Sequence, residues 1–412
     1  MRLSLLKILV FVVSGFLLYR SLNFATVKNI ANCWSNQFSI NSGDSLIIYA
    51  NHFKQQKKSF IILYDINGKA LDSVEVDLSN NPPKINDEWI KGQNYSGKVN
   101  YKCNLEPGLY HLEQYFTFCV RNLKAKINII VPHIFQLCSS NSSGASFYSP
   151  LGSIKSNAEL INPHNKIPFV INYTKSSLKI ANLQYLHHFL TQQYPNEQIG
   201  FVSDMDIQQL DISKTYIFCG NYTFMESKVA DQVDEFVKKG GNLVIAACSI
   251  MNNRVRIDRD KHLISFYGLS GKDPIKDSVN SAIRFNDSLS SQKNYEIIGM
   301  DYMFADKPVN GYFKFCNQTD SFLVKAPYFN GIPLKENCLA DTKICKFDRI
   351  EILATSNCFY KENPGKGTIG VLYKGKGKII QLPTEEWFNK ENLKNSAIKN
   401  LTLKLLDPIL KK

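Results

Sequence analysis

The sequence has no Cys-x-x-Cys pair, which removes the ligand spacing of a structural zinc site. No histidine follows His262, so the long C-terminal remainder can supply no imidazole base. It has no strip of alternating basic and aromatic residues, and nucleic acid is therefore not favoured as a partner. Internal repeats and low-complexity tracts are missing as well. No lipobox cysteine stands directly after the apolar N-terminal run.

What is there describes a folded chain. At 412 residues, 44% hydrophobic and 21% charged, it has the length for two domains and a substantial core. The formal net charge is +13. Residues 343–412 hold fourteen Lys/Arg against seven Asp/Glu, much of it in Lys374, Lys376 and Lys378 and on the last helix. Such a face suits an anionic surface, lipid headgroups included, although basic faces are more often simply solvated.

Arg2 and Lys7 precede an apolar run over 8–19, broken only by Ser14 and Gly15. That pattern predicts a signal peptide or signal-anchor helix over 1–25. Asn23-Phe24-Ala25 is a poor cleavage site, which favours an uncleaved transmembrane anchor. The membrane is then a partner, and the rest of the chain faces outside the cytoplasm, anchored or secreted. An oxidising compartment permits disulfides among the ten cysteines, with Cys316, Cys338, Cys345 and Cys358 grouped in one segment. Seven Asn-x-Ser/Thr triplets are glycan acceptors only in a host that glycosylates.

Two regimes follow along the chain. Residues 26–132 read as an Ig-like β-sandwich, with short strands at 45–49, 59–64, 74–77 and 127–131 between turn signals. From 133 to 412, strands alternate with helices. The run 167–172 is a strand, and Ser176 opens a helix carrying Ile180, Leu183, Leu186 and Leu190 on one stripe. Strands at 199–202 and 215–219 lead to a capping box, Thr223 with Glu226, that opens a helix ending at Gly240-Gly241. The apolar strand 242–248 comes next. Runs at 295–300 and 350–354 also read as strands, and a last helix spans about 391–405. Such βα units predict a parallel α/β sheet covered by helices.

Several stretches together resemble the large (beta) subunit of N,N-dimethylformamidase and its relatives. They are 135–148, the run Ile167-Pro168-Phe169-Val170-Ile171-Asn172-Tyr173, the segment Gly200-Phe201-Val202-Ser203-Asp204-Met205-Asp206, the turn at 220–225, and Gly240-Gly241-Asn242-Leu243 leading to Arg254 and Arg256. The closing Gly-x-Gly strand before Glu386-Trp387 also matches. The resemblance implies a β-sandwich followed by a flavodoxin-like/glutamine-amidotransferase-like α/β domain. It further implies hydrolysis of the C–N bond of a small-molecule amide, at an iron held by two tyrosines and a glutamate. Placed on this sequence, those ligands fall at Ser139, Tyr173 and Thr223, so one of three survives. Phenolate and carboxylate balance the charge of iron, whereas neutral hydroxyls bind it weakly. Tyr222 and Glu226 lie beside Thr223 and are the substitutes to consider.

Two other chemistries compete. Cys248 closes an apolar strand at the place of a nucleophile elbow, behind small Ala246 and Ala247, but Ser249-Ile250 lacks the glycine an elbow needs. The sequence also supplies no His-x-Glu pair after the last strand. His187-His188 sits on a helix without a visible third metal ligand, and Asp204 and Asp206 end a strand where open sheets bind ligands. The reading that results is a divergent, non-catalytic binding or structural protein, outside the cytoplasm. An amidohydrolase with a rearranged site at Tyr173, Tyr222 and Glu226, or a Cys248-dependent hydrolase, is the alternative.

Overall fold

The computed structural model describes residues 30–35, 37–52, 58–78, 96–113, 115–139, 170–172, 180–207, 209–259, 263–266, 294–299, 301–303, 309–316, 321–326, 329–331, 347–358 and 365–411. Segment 1–25, Tyr173, Ser176, Cys338 and Cys345 lie outside them.

The first eight strands are β1 (Ile30–Trp34), β2 (Ser39–Ile40), β3 (Ser45–His52), β4 (Lys58–Asp65), β5 (Ala70–Asp77), β6 (Gly97–Lys102), β7 (Gly108–Leu112) and β8 (Phe116–Val120). Alternation shapes them: in β4, Ser59, Ile61 and Leu63 are buried while Lys58 and Phe60 face out. They form two sheets, ordered β1-β3-β6 and β2-β8-β7-β4-β5. Trp34, Leu46, Ile48, Ile61, Leu63 and Phe118 belong to their common core.

The remainder builds one large sheet and a separate two-stranded one, Asp301–Met303 with Phe329–Gly331. Its elements are β9 (Ile127–Val131), α1 (His133–Ser139), β10 (Val170–Asn172), α2 (Ala181–Gln193), β11 (Ile199–Ser203), β12 (Thr215–Glu226), α3 (Ser227–Lys238), β13 (Asn242–Asp258), β14 (Leu263–Phe266) and α4 (Asn294–Ile298). Then come β15 (Asp301–Met303), β16 (Val309–Phe315), β17 (Ser321–Ala326), β18 (Phe329–Gly331), β19 (Arg349–Cys358), β20 (Gly365–Lys374), β21 (Gly377–Leu382), α5 (Lys390–Leu393) and α6 (Ser396–Leu410). Nine strands run in the order β11-β9-β12-β13-β21-β20-β19-β16-β17, and β14 and β10 are added along the far end of β13, making eleven.

This corrects the expected fold class, an Ig-like sandwich followed by a flavodoxin-like/glutamine-amidotransferase-like parallel domain. The strand expected to close the sandwich, β9, instead pairs in parallel with both β11 and β12. All five of its residues are buried, which suits the interior of a covered sheet rather than a half-exposed sandwich strand. Beyond β21 the same sheet turns antiparallel through β20, β19, β16 and β17. A two-residue loop, Gly375-Lys376, joins β20 to β21, and so short a connection permits only an antiparallel pair. Gly375 takes φ +59° in that loop, the conformation such turns assign to glycine. The product is a mixed 11-stranded sheet.

Three further expectations change. The transmembrane anchor expected over 1–25, and with it the membrane as partner, is unsupported and not carried further: that segment lies outside the described residues, and among these no helix is long and apolar enough to cross a membrane. The run 295–300, read as a strand, is helical up to Ile298, in the short helix α4. The capping box is not made either, because β12 continues to Glu226, in register with Val255 of β13, and α3 starts at Ser227 without a side-chain cap. Pairing along β13 overrides the local helix signal.

Candidate functional site

Open sheets bind ligands beyond the carboxyl ends of parallel strands, where the chain leaves one strand towards both sides. Here β9 lies between β11 and β12, so its end with that of β12 marks the place. The two strands stay in register only to Phe218 opposite Ile130. Gly220 follows with φ +142°. At the point of separation stands Tyr222, fully buried. Its hydroxyl donates to the Ile130 carbonyl at 2.6 Å and accepts the Cys219 N–H at 3.1 Å. The phenol therefore links β9 to β12 where ladder pairing between them stops. Burial first, and the neighbouring Cys219 thiol next, push its ionisation well above the ordinary tyrosine value.

The other described positions singled out as iron ligands are likewise engaged. Ser139 ends α1, its hydroxyl donating to the Gln136 carbonyl at 3.3 Å. The Thr223 hydroxyl donates to Asn221 Oδ1 at 2.6 Å, and the same oxygen accepts the Thr223 N–H. Glu226 is buried and ion-paired with Arg259 at 3.0 Å, while Arg259 also donates to the Met205 carbonyl at 2.7 Å. Tyr173 lies outside the described residues. The described donors do not fit iron: they offer two alcohols, a phenol held neutral, and a carboxylate already matched by a guanidinium. Among the described residues no group of three or more His, Cys, Asp or Glu is arranged to hold a metal ion.

Cys248 falls inside β13 rather than at a strand-to-helix elbow. Gly220 pairs with Ala247 and Asn221 with Ser249, so Cys248 is the extra residue of a bulge. The strand then runs on to Asp258. On α2, His187 packs against Phe201 with ring centroids 5.3 Å apart, and burial lowers its pKa. His188 is exposed. Cys316 is exposed and carries a free thiol.

Sequence reasoning singled out Asp204 but missed the buried polar knot it belongs to. The His133 Nδ1 lies 2.8 Å from the Ser203 hydroxyl, both residues fully enclosed. Asp204 accepts the Ile134 N–H at 3.0 Å and so caps α1 from the 3-10 turn that follows β11. Ser39 of β2 accepts the Ser203 N–H at 3.1 Å, which ties the smaller sheets to the large one. By distance His133 and Ser203 resemble a base and its nucleophile. Burial, however, holds the His133 pKa down at about 3 against a raising contact from the Thr117 backbone, too low for a useful base at neutral pH. Burial likewise raises Asp204 well above the usual carboxylate range. The visible signal was Pro132-His133 directly after the largely apolar run 127–131.

No family model matches the chain, and no curated relative matches it. Among solved structures, similarity is found to a GH42 β-galactosidase from G. stearothermophilus in catalytic-mutant form (12% identity, 69% of this chain, 30% of that chain, TM-score 0.35). A β-galactosidase from Bacillus circulans sp. alkalophilus matches with 12% identity over 68% and 31% of the two chains at TM-score 0.34. An exo-β-1,4-mannosidase from Opitutaceae bacterium strain TAV5 follows with 12% over 69% and 34% at TM-score 0.28. The chain thus spans about a third of the length of these proteins. At such scores the likeness carries neither fold nor activity across. Neither a dimethylformamidase nor an amidotransferase is among these three neighbours, and the amidotransferase-like description is withdrawn with the fold class.

Proposed function

We propose that the chain is a binding or structural protein without catalysis of its own. On its sequence landmarks it would be a divergent relative of the dimethylformamidase large subunit, with Ser139, Thr223 and the neighbouring Tyr222 and Glu226 given over to holding the fold. Tyr222 carries the reading. Its phenol bridges β9 and β12 at the place where such a sheet would take a ligand. Turning it towards a metal would strand the Ile130 carbonyl and the Cys219 N–H in the interior, which costs about 1–3 kcal/mol for each unsatisfied group.

Metal analysis of the full chain, purified after expression with added iron, tests this. No stoichiometric iron is expected. One iron per chain, lost on Glu226→Gln, would restore the amidohydrolase reading. Peptide mapping after brief treatment with a thiol reagent at neutral pH addresses the cysteine alternative. Exposed Cys316 should react, and preferential reaction at Cys248 would favour a hydrolase.

A further inference from the structure

We infer that a basic groove between α2 and the α5–α6 corner binds a small hydroxylated anion, a sugar acid or a sugar phosphate. The groove measures about 530 Å³, within the range of small-molecule sites. Lys390, Lys394 and Lys399 line it, and no Asp or Glu does. Lys394 is drawn to Glu391 at 2.9 Å. Lys390 and Lys399 have no ion pair among the described residues, so their charge is available to a ligand.

The rest of the lining suits a hydroxylated body. Asn67, Gln192 and Gln193 contribute amides, which donate and accept as hydroxyls do. Phe189 and Phe388 form an apolar floor with ring centroids 5.5 Å apart, and Tyr185 stands at the rim, 40% exposed. The two phenylalanines are buried beneath the groove, and the exposed Tyr185 ring offers the face that packs against the C–H side of a sugar ring. The sequence places these groups for a reason. The core stripe of α2 (Leu183, Leu186, Phe189 and Leu190) leaves Tyr185, His188 and Gln192 on a common outer face at i, i+3 and i+7. Asn395 caps α6 through the Ala397 N–H and breaks the helix after α5, which turns Lys390, Lys394 and Lys399 towards the same groove.

The inference rests on reading the chain as a binding protein, and the two fail separately. Stoichiometric iron would sink that reading and leave groove binding as it is, whereas failure to select anions would sink only this inference. Calorimetric titration of the full chain at low salt, with glucose 6-phosphate, glucuronate and glucose as probes, is the test. At least one of the two anions should bind about tenfold tighter than glucose, and added sodium chloride should weaken it. Preference between the two assigns phosphate or carboxylate. The K390E/K399E variant should lose about tenfold or more in affinity, and Tyr185→Ala several-fold, each with unchanged circular dichroism. Should the double variant misfold, K399Q alone gives the same readout. Equal affinity for glucose and both anions, no binding of any probe, or a charge-reversed variant that binds like the parent would overturn the inference.

Discussion

The hydroxyl of Tyr222 and the carbonyl of Ile130, 92 residues apart in sequence, meet at 2.6 Å at the last register pair of β9 and β12. Phenylalanine at position 222 would keep the ring, including its edge-on contact with Phe218 at 4.9 Å, and delete only the bridge. Two buried backbone groups would then lose their partner. The expected cost is about 1–3 kcal/mol for each of the two groups, read as a lower midpoint in urea unfolding with unchanged slope. A loss within measurement error would mean that the bridge does not hold the strands.

His133 should make the fold sensitive to acid. Its folded pKa, about 3, lies below the ordinary 6.5 because burial disfavours the cation. The unfolded chain therefore binds the proton first as pH falls. The stability this group contributes is present above about 6.5 and is lost as pH falls towards its folded value, at roughly 1.4 kcal/mol per pH unit. Asp204, raised by burial, has the opposite sign: its contribution is present at low pH and is lost as pH rises through its folded value. The clean readout is a comparison with His133→Asn. The stability of the parent relative to that variant should shrink steadily between pH 6 and pH 4, and a constant difference would contradict the burial argument.

Glu226 separates an ion pair from a metal ligand. Gln at this position leaves Arg259, about a third exposed, facing a neutral group at 3.0 Å. Solvent screening of the half-open guanidinium keeps the expected loss near 1–2 kcal/mol, below the cost of breaking a wholly buried pair. Arg259→Met should cost a similar amount, and the double variant E226Q/R259M less than the two singles together, since the orphaned charge is then gone. Strict additivity in that cycle would show that the two side chains do not act as a pair.

How far the sequence reached can be read residue by residue. Runs such as 127–131 and 242–248 announced strands because apolar residues on consecutive positions have few other uses. What they pair with was not announced: nothing in Ile127-Asn128-Ile129-Ile130-Val131 distinguishes the last strand of one sheet from the middle of another. Thr223 and Glu226 satisfied a helix-start pattern of short range and were overruled by β13, whose register is set by residues some 30 positions away. The Tyr222 bridge was out of reach for the same reason. A phenol two residues after a glycine has no sequence mark showing that its hydroxyl will replace a ladder rung.

The turn from α3 into β13 was legible, and it gives the sharpest test of backbone against side-chain cost. The Gly241 N–H reaches the Phe236 carbonyl at 2.9 Å and the Gly240 N–H the Val237 carbonyl at 3.0 Å, the two-bond cap that ends a helix with a left-handed residue. Gly240 takes φ +115°, but a Cβ there would meet nothing nearer than Lys376 Cβ at 3.5 Å. Gly240→Ala therefore tests backbone strain almost alone, about 1–2 kcal/mol. Gly241 is the reverse case. Its φ is outside the left-handed region, yet a Cβ would lie 2.3 Å from Phe236 Cζ. Phe236 is buried edge-on against Tyr216 with ring centroids 5.3 Å apart, so it has no free direction in which to yield. Gly241→Ala should cost about 1–3 kcal/mol through overpacking. Gly43→Ala is the control, with φ +91° and open space around the added carbon. Trimming the ring with Phe236→Leu should rescue Gly241→Ala in part and leave Gly240→Ala untouched, because only the first substitution acts through that side chain. Equal rescue of both in thermal unfolding would mean that the helix end, rather than the clash, sets the cost.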